Sequence, residues 1–200
     1  LGLSYKNQDL EIYTNFSQNF RSVTFADISI INPAYAINPS IDDEKGFTFD
    51  LGLRGNYKKI VSFDSSIFAL IYRDRIGFIQ KAFRDGNVKS ERGNVGNAQI
   101  TGIESLFDFD VNEILFKNAN LDFNIFFNYS YIESKYLKSN EVGITGKEVE
   151  FVPKNNFKTG LKFGYKDFAI NFQYSYLSSQ FTDSSKAISG NLSGVIGQIP

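Results

Sequence analysis

The stretch that decides the fold is NLDFNIFFNYSYIES, residues 120–134. Every second side chain from Leu121 to Tyr131 is apolar or aromatic, and the positions between them are polar except for Phe126. Successive side chains of a β-strand point to opposite faces, so this alternation predicts a strand with one apolar and one polar face. The apolar face must meet either a protein core or lipid.

The same alternation recurs along the chain. It predicts further strands at 10–20, 47–57, 103–111, 157–165 and 168–176. The segment 62–80 is less clean, because apolar residues fall on both of its faces, and residues 1–5 resemble the end of another strand. The sequence therefore predicts an all-β domain of about eight strands.

The connections between these segments alternate in length. Short links at 6–9, 58–61, 112–120 and 166–167 alternate with long polar loops at 21–46, 81–95, 135–149 and from 183 to the end. This order is typical of an antiparallel up-and-down meander with turns on one rim and loops on the other. Outer-membrane barrels have this asymmetry.

Three features favour lipid over a protein core for the apolar face. The alternation persists for about 9–11 residues, the length that crosses a bilayer, whereas strands of globular proteins run to about five or six. Tyrosines such as Tyr129 and Tyr165 cluster at strand ends, where the ring can lie in the membrane interface. The polar face carries charges and mid-strand glycines (Gly52, Gly160 and Gly164), which suits a hydrated barrel interior.

Composition narrows the classes of function. The chain has 21 basic and 22 acidic residues, so it lacks the basic balance of a nucleic-acid-binding protein. It contains neither Cys nor His, which removes disulfides, thiolate metal sites and the usual general base of hydrolases. We expect no enzyme activity and no cofactor. The longest apolar run, 67–72, is far shorter than the roughly 18 residues of a transmembrane helix.

Four segments carry a resemblance to a known family: IYTNFSQNFRSVTFAD (12–27), GFTFDLGLRG (46–55), RGNVGNAQITGIES (92–105) and GKEVEFVPKNNFKTGLKFGY (146–165). Together they resemble TonB-dependent outer-membrane receptors, and among these the ferric-dicitrate-like iron receptors. The resemblance implies a 22-stranded transmembrane β-barrel closed by an N-terminal plug domain. We expect residues 1–200 to be an internal part of such a barrel, without the plug domain and without the aromatic C-terminal residue of the family's last strand.

The resemblance also implies a function and partners. It implies energised uptake of an iron chelate, of siderophore or ferric-citrate type, across the outer membrane of a Gram-negative cell. Membrane lipid, the chelate and, through the plug, the TonB complex would be the partners, with no nucleic acid. The candidate ligand-binding residues of the long loops are Phe25, Tyr35, Arg84, Lys89, Arg92 and Tyr136. The candidate lumen-facing or plug-facing residues are Asp50, Arg54, Glu104, Asp108 and Asp122.

Other interpretations of the same pattern stay open at this stage. The chain could be a complete eight-stranded outer-membrane barrel with a structural or adhesive role, or a soluble β-sandwich that binds a ligand. The basic residues of 81–95 could contact an anionic chelate or lipopolysaccharide, or could be ordinary loop charges. Carboxylates such as Glu104 and Asp108 could in principle act in acid–base catalysis, but lining a lumen is the simpler role.

Overall fold

A computed structural model describes residues 1–29, 31–84, 86–117, 120–186 and 198–199. Most of the long loop predicted from 183 to the end therefore lies outside the described residues. Within those ranges, no helix combines the length and the apolar character that spanning a membrane requires.

Strands dominate the structure. In chain order the elements are β1 (Gly2–Asn7), β2 (Leu10–Arg21), α1 (Phe25–Ile28), β3 (Tyr35–Ile37), β4 (Glu44–Tyr57), β5 (Val61–Ala82), β6 (Val88–Asp110), a π-helical turn (Asn112–Phe116), β7 (Leu121–Lys138), β8 (Asn155–Tyr165), β9 (Phe168–Leu177), β10 (Gln180–Phe181) and β11 (Gln198–Ile199).

The main sheet is a meander. Its strands follow the order β1-β2-β4-β5-β6-β7-β8-β9, each antiparallel to the next, and the short β3 pairs in parallel with β6. The predicted all-β meander of about eight strands is therefore confirmed. Among the described residues β1 and β9 do not pair with each other, so the sheet is open. The interpretation as a closed eight-stranded barrel is wrong for this structure.

The strand register gathers the apolar side chains on one face. Phe16 pairs with Phe49 across β2 and β4, and Phe107 pairs with Phe127 across β6 and β7. No second layer of described residues covers this face: Phe127 is 40% exposed and Phe172 is 63% exposed. The single sheet therefore does not have the two packed layers of a soluble sandwich.

Tyrosines border the apolar face at both ends. Tyr5, Tyr57 and Tyr165 lie beside the short turns, and Tyr129 and Tyr174 lie toward the loops. From Phe47 to Tyr57 the strand β4 spans about 33 Å at about 3.3 Å per residue. At the tilt of about 40° that is usual in outer-membrane barrels, this corresponds to an apolar band about 25 Å tall, the height observed in such barrels.

Three aromatic side chains on the polar face lie over glycines of a neighbouring strand. A Cβ atom on Gly160 would come within 2.5 Å of the Phe126 ring, and one on Gly52 would come within 2.2 Å of the Tyr13 ring. Phe68 and Gly102 form a third such pair. These rings explain both the exceptional Phe126 and two of the three mid-strand glycines singled out from the sequence, Gly52 and Gly160, which leave room for a ring.

The loop-side ends of the strands differ most from prediction. The segment 62–80 belongs to one continuous strand, β5, and the predicted loop 81–95 is wrong because β5 continues to Ala82 and β6 begins at Val88. The predicted loop 135–149 is also displaced, since β7 continues to Lys138. In these extensions charged side chains interrupt the alternation, but loops cover the strands and provide partners for the charges.

A small hydrophobic core lies at the loop end of the sheet. A β-bulge shifts the register of β5 against β6 between Tyr72 and Arg75. Beyond this bulge, Ile79 and Val95 pack with Tyr136 of β7 and with residues of the loop that follows β7. The buried members of this core are Ile79, Val95, Ala98, Tyr136, Ile144 and Val149. The core fixes the β7–β8 loop against the β5–β6 hairpin.

Candidate functional site

The loop between β2 and β4 is anchored by one buried carboxylate. Asp27 is 2% exposed, and its two oxygens accept hydrogen bonds from the Arg21 guanidinium at 2.8 Å and from the Arg92 guanidinium at 2.7 Å. It also accepts bonds from the backbone N–H of Thr24 at 3.0 Å and the Thr24 hydroxyl at 2.7 Å. Burial alone would raise the pKa of Asp27, but these hydrogen bonds outweigh it and hold that pKa well below its usual range.

Arg92 is therefore bound inside the structure rather than displayed on a loop. It lies on β6, binds Asp27, and stacks over the Phe78 ring with 4.5 Å between the guanidinium carbon and the ring centroid. The adjacent pairing of β3 with β6 places Tyr35 in an edge-to-face contact with the same ring, with the two ring centroids 5.6 Å apart. Arg92 and Tyr35 thus join the β2–β4 loop to the β5–β6 hairpin.

Tyr136 is buried as well. Its side chain is 1% exposed, and its hydroxyl donates a hydrogen bond of 2.7 Å to Glu150. Arg75 at the β5 bulge forms an ion pair with the same carboxylate at 2.5 Å. Glu150 is itself only 1% exposed, so the β7–β8 loop is tied to the hairpin by a buried charge pair as the β2–β4 loop is.

The remaining candidates face outward. Phe25 is 80% exposed at the start of α1, and Arg84 is exposed at the tip of the β5–β6 hairpin. Lys89 is on β6, not on a loop, and its ammonium lies 5.6 Å from the centroid of the Phe83 ring. These three side chains are accessible from the loop side of the sheet. A ligand could contact these positions while the β2–β4 and β7–β8 loops stay folded.

The five predicted lumen-facing residues do share the polar face. Register places Asp50 opposite Asn15, Glu104 opposite Ser66 and Asp108 opposite Ser62, all polar positions. Arg54 has a cross-strand partner, Glu11, at 2.9 Å, and Asp122 forms an ion pair with Lys162.

Four residues that anchor the loops or form hydrogen bonds on the polar face were not identified from the sequence. Asp27 and Glu150 are the buried anchors, and Tyr13 donates a hydrogen bond of 2.7 Å to Asp64 on the polar face. Thr24 and Asp27 have the spacing of a capping box, so the helix-start pattern could have indicated Asp27. No local pattern distinguishes Glu150 or Asp64 from other acidic residues.

The polar face is suited to contact a polar surface. A groove of about 380 Å³ runs between Tyr13, Asp64, Glu104, Asn128 and Lys158. Its hydroxyl, amide and charged groups can exchange hydrogen bonds with water or with a protein surface. In the described part of the chain no three carboxylates come together as a metal site would require.

Comparison with known proteins gives consistent results. Residues 1–196 match the family described as TonB dependent receptor-like, beta-barrel. No curated protein matches the chain. Among solved structures, the unliganded ferric citrate transporter FecA superposes with a TM-score of 0.70 at 21% identity, over 100% of this chain and 28% of that protein.

Two further solved structures share the fold. The copper transporter OprC has a TM-score of 0.67 at 15% identity, covering 92% of this chain and 27% of its own length. The ferric yersiniabactin uptake receptor FyuA from Yersinia pestis has a TM-score of 0.61 at 18% identity, with 92% and 26% covered. The chain thus spans roughly a quarter of these proteins. By its match over residues 1–196, the chain belongs to the TonB-dependent receptor β-barrel family.

Proposed function

We propose that this chain is part of the barrel wall of a receptor that takes up an iron chelate across the outer membrane of a Gram-negative cell. The observation that carries the proposal is the two-faced sheet, whose uncovered apolar face ends in tyrosines and whose polar face continues into anchored loops. The open edges of β1 and β9 would be closed by further strands, as a membrane requires of a barrel.

The nature of the ligand is supported by both the neighbours and the composition. The neighbour structures include a ferric citrate transporter and a ferric yersiniabactin receptor. The chain has no Cys, His or Met, the side chains that bind copper best, so it offers no soft ligand to a bare copper ion. Two loop-side cations, the exposed Arg84 and the half-buried Lys89, suit an anionic chelate.

The transport mechanism follows the family expectation. The chelate would be captured at the loop side, with Phe25, Arg84 and Lys89 in contact with it and Tyr35, Arg92 and Tyr136 holding the loops in position. A plug domain would occupy the polar face near Asp50, Glu104 and Asp108, and energy from the TonB complex would release the chelate inward. No bond of the chelate is made or broken by this chain in the proposal.

The experiment is uptake of ⁵⁵Fe presented as citrate, hydroxamate or catecholate chelates by cells that carry the full-length protein as their only such receptor. Reversing both cations, Arg84→Glu with Lys89→Glu, should lower uptake of the transported chelate at least tenfold. The matched control is Lys117→Glu, which reverses one exposed charge on the opposite rim. Equal uptake by the double variant and the unmodified protein would remove these residues from the ligand site.

A further inference from the structure

The rim opposite the loops carries lysines in an unusual backbone conformation. All four connections on this rim contain a residue other than glycine in the left-handed region. These residues are Gln8 (φ 47°), Lys58 (φ 49°), Lys59 (φ 59°), Lys117 (φ 50°) and Lys166 (φ 53°). Three of the four connections thus place lysine there.

Ease of folding does not account for lysine at these positions. Glycine has no Cβ to clash in the left-handed region, and among other residues Asn and Asp enter that region most readily. The turn between β4 and β5 instead has Lys58 and Lys59 in succession. A lysine at positive φ costs conformational free energy that glycine would not, which points to a role for the cation.

Two of these lysines are held by tyrosines of the apolar face. The Lys58 ammonium lies 5.2 Å from the centroid of the Tyr57 ring, and the Lys166 ammonium lies 5.3 Å from the centroid of the Tyr165 ring. Tyr57 pairs with Val61 and Tyr165 pairs with Phe168, so both rings belong to the edge of the apolar band. The two turns are separated by four strands, yet they repeat the same Tyr-Lys geometry.

The two ammonium groups keep their positive charge available. Neither Lys58 nor Lys166 forms an ion pair with any carboxylate of the described residues. The neighbouring Lys59, in contrast, has no aromatic contact among those residues. A tyrosine ring at the lipid boundary with a cation beside it presents a positive charge at the depth of lipid phosphates.

We propose that Tyr57–Lys58 and Tyr165–Lys166 are two binding sites for the phosphate of anionic phospholipids in the leaflet on the turn side. Each ring lies among the upper acyl carbons while its lysine, held beside the ring, pairs with the phosphate. This inference rests on the outer-membrane location in the proposed function. It commits to a lipid phosphate, since the rings place the cations against lipid and not in a pocket that would enclose a free anion.

The test uses the purified full-length protein in nanodiscs of phosphatidylcholine and phosphatidylglycerol, followed by native mass spectrometry of retained lipids. The unmodified protein should retain phosphatidylglycerol preferentially, and Lys58→Gln or Lys166→Gln should weaken retention at the affected site about fivefold. Lys59→Gln removes the same charge from the same turn without a ring contact and should change retention less than twofold. An equal loss with Lys59→Gln would overturn the proposal, because it would reveal a general charge effect.

A second pair of variants separates lipid binding from folding. Lys58→Gly and Lys166→Gly relieve the left-handed backbone, so the folded barrel should resist denaturant at least as well as before while it loses lipid retention. Loss of both stability and lipid would assign these lysines to the fold and overturn the proposal, as would unchanged retention. If the protein retained lipid but its cells took up no iron chelate, the result would contradict the proposed ligand and leave the lipid sites standing. Retention that inorganic phosphate at 10 mM abolishes would identify a free-anion site instead.

Discussion

Replacing Asp27 with asparagine should release the β2–β4 loop without unfolding the sheet. The new amide puts an N–H group where a carboxylate oxygen now accepts bonds from Arg21 and Arg92. Breaking a buried ion pair by removing one partner costs roughly 3–5 kcal/mol. Because the side chains of Arg21 and Arg92 are 38% and 19% exposed and can be hydrated again, the lower end, about 3 kcal/mol, applies here.

The loss should be local, since only the loop depends on Asp27. Two amides report on it directly: the N–H of Asn38 donates to Arg92 O at 2.8 Å, and the N–H of Ser90 donates to Ala34 O at 3.1 Å. At tenfold for each 1.4 kcal/mol, their exchange with deuterium should accelerate about a hundredfold. Hydrogen-exchange mass spectrometry of the full-length protein in micelles measures both, with peptides from β8 as an internal reference.

Asp9→Asn is the matched control, because Asp9 is exposed on the opposite rim. It should leave exchange at Asn38 and Ser90 unchanged. If the Asp27→Asn protein also protected these two amides as before, Asp27 would not anchor the loop, and the reasoning from its buried hydrogen bonds would be refuted.

Three further predictions concern packing, orientation and pH. Gly160→Ala, whose Cβ would lie 2.5 Å from the Phe126 ring, should lower the free energy of unfolding by about 1–2 kcal/mol in denaturant titrations. Gly164→Ala, with its nearest contact at 3.4 Å, should change that free energy by less than about 0.5 kcal/mol. Equal effects of the two substitutions would contradict the ring-over-glycine packing. A cysteine replacing Asn128 should react with a water-soluble maleimide, while one replacing Phe127 should be protected and quenched by lipid-phase probes; protection of Phe127 from both reagents would indicate a protein core instead. The folded pKa of Asp27 lies below its unfolded value of about 3.9, so its stabilisation is complete well above that value and is lost progressively as the pH falls from there through the folded pKa. Protection of Asn38 from exchange, corrected for the intrinsic rate, should therefore be equal at pH 7 and pH 5, and a drop at pH 5 would show that another group holds the loop.

The sequence predicted the turn-side half of the sheet well for a physical reason. There one face meets an apolar and the other a polar environment, so alternation such as that of residues 121–131 records the register directly. Membership in the receptor family was likewise readable from the motifs, such as RGNVGNAQITGIES at 92–105, and the match over residues 1–196 confirms it.

The loop-side half was mispredicted because loops cover strands there. Lys89 and Arg92 interrupt the apolar pattern of β6. They nevertheless lie in a regular strand, because β5 and β3 pair with this part of β6. The partner of Arg92 is 65 residues away in the chain, and nothing in the local pattern of either segment indicates that pairing. A single sequence contains periodicity but not such long-range contacts, so the anchoring carboxylates were found only from the structure.

The parallel pairing of β3 with β6 has a consequence for the order in which the protein assembles. Apart from β3, each strand of the main sheet pairs with the one before it, so the sheet can grow in the order of synthesis with little loop-closure entropy. Residues 35–37 must wait for residues 90–92, and Asp27 must wait for Arg92. The β2–β4 loop therefore stays undocked until β5 and β6 have formed their hairpin, so its closure follows the pairing of those two later strands.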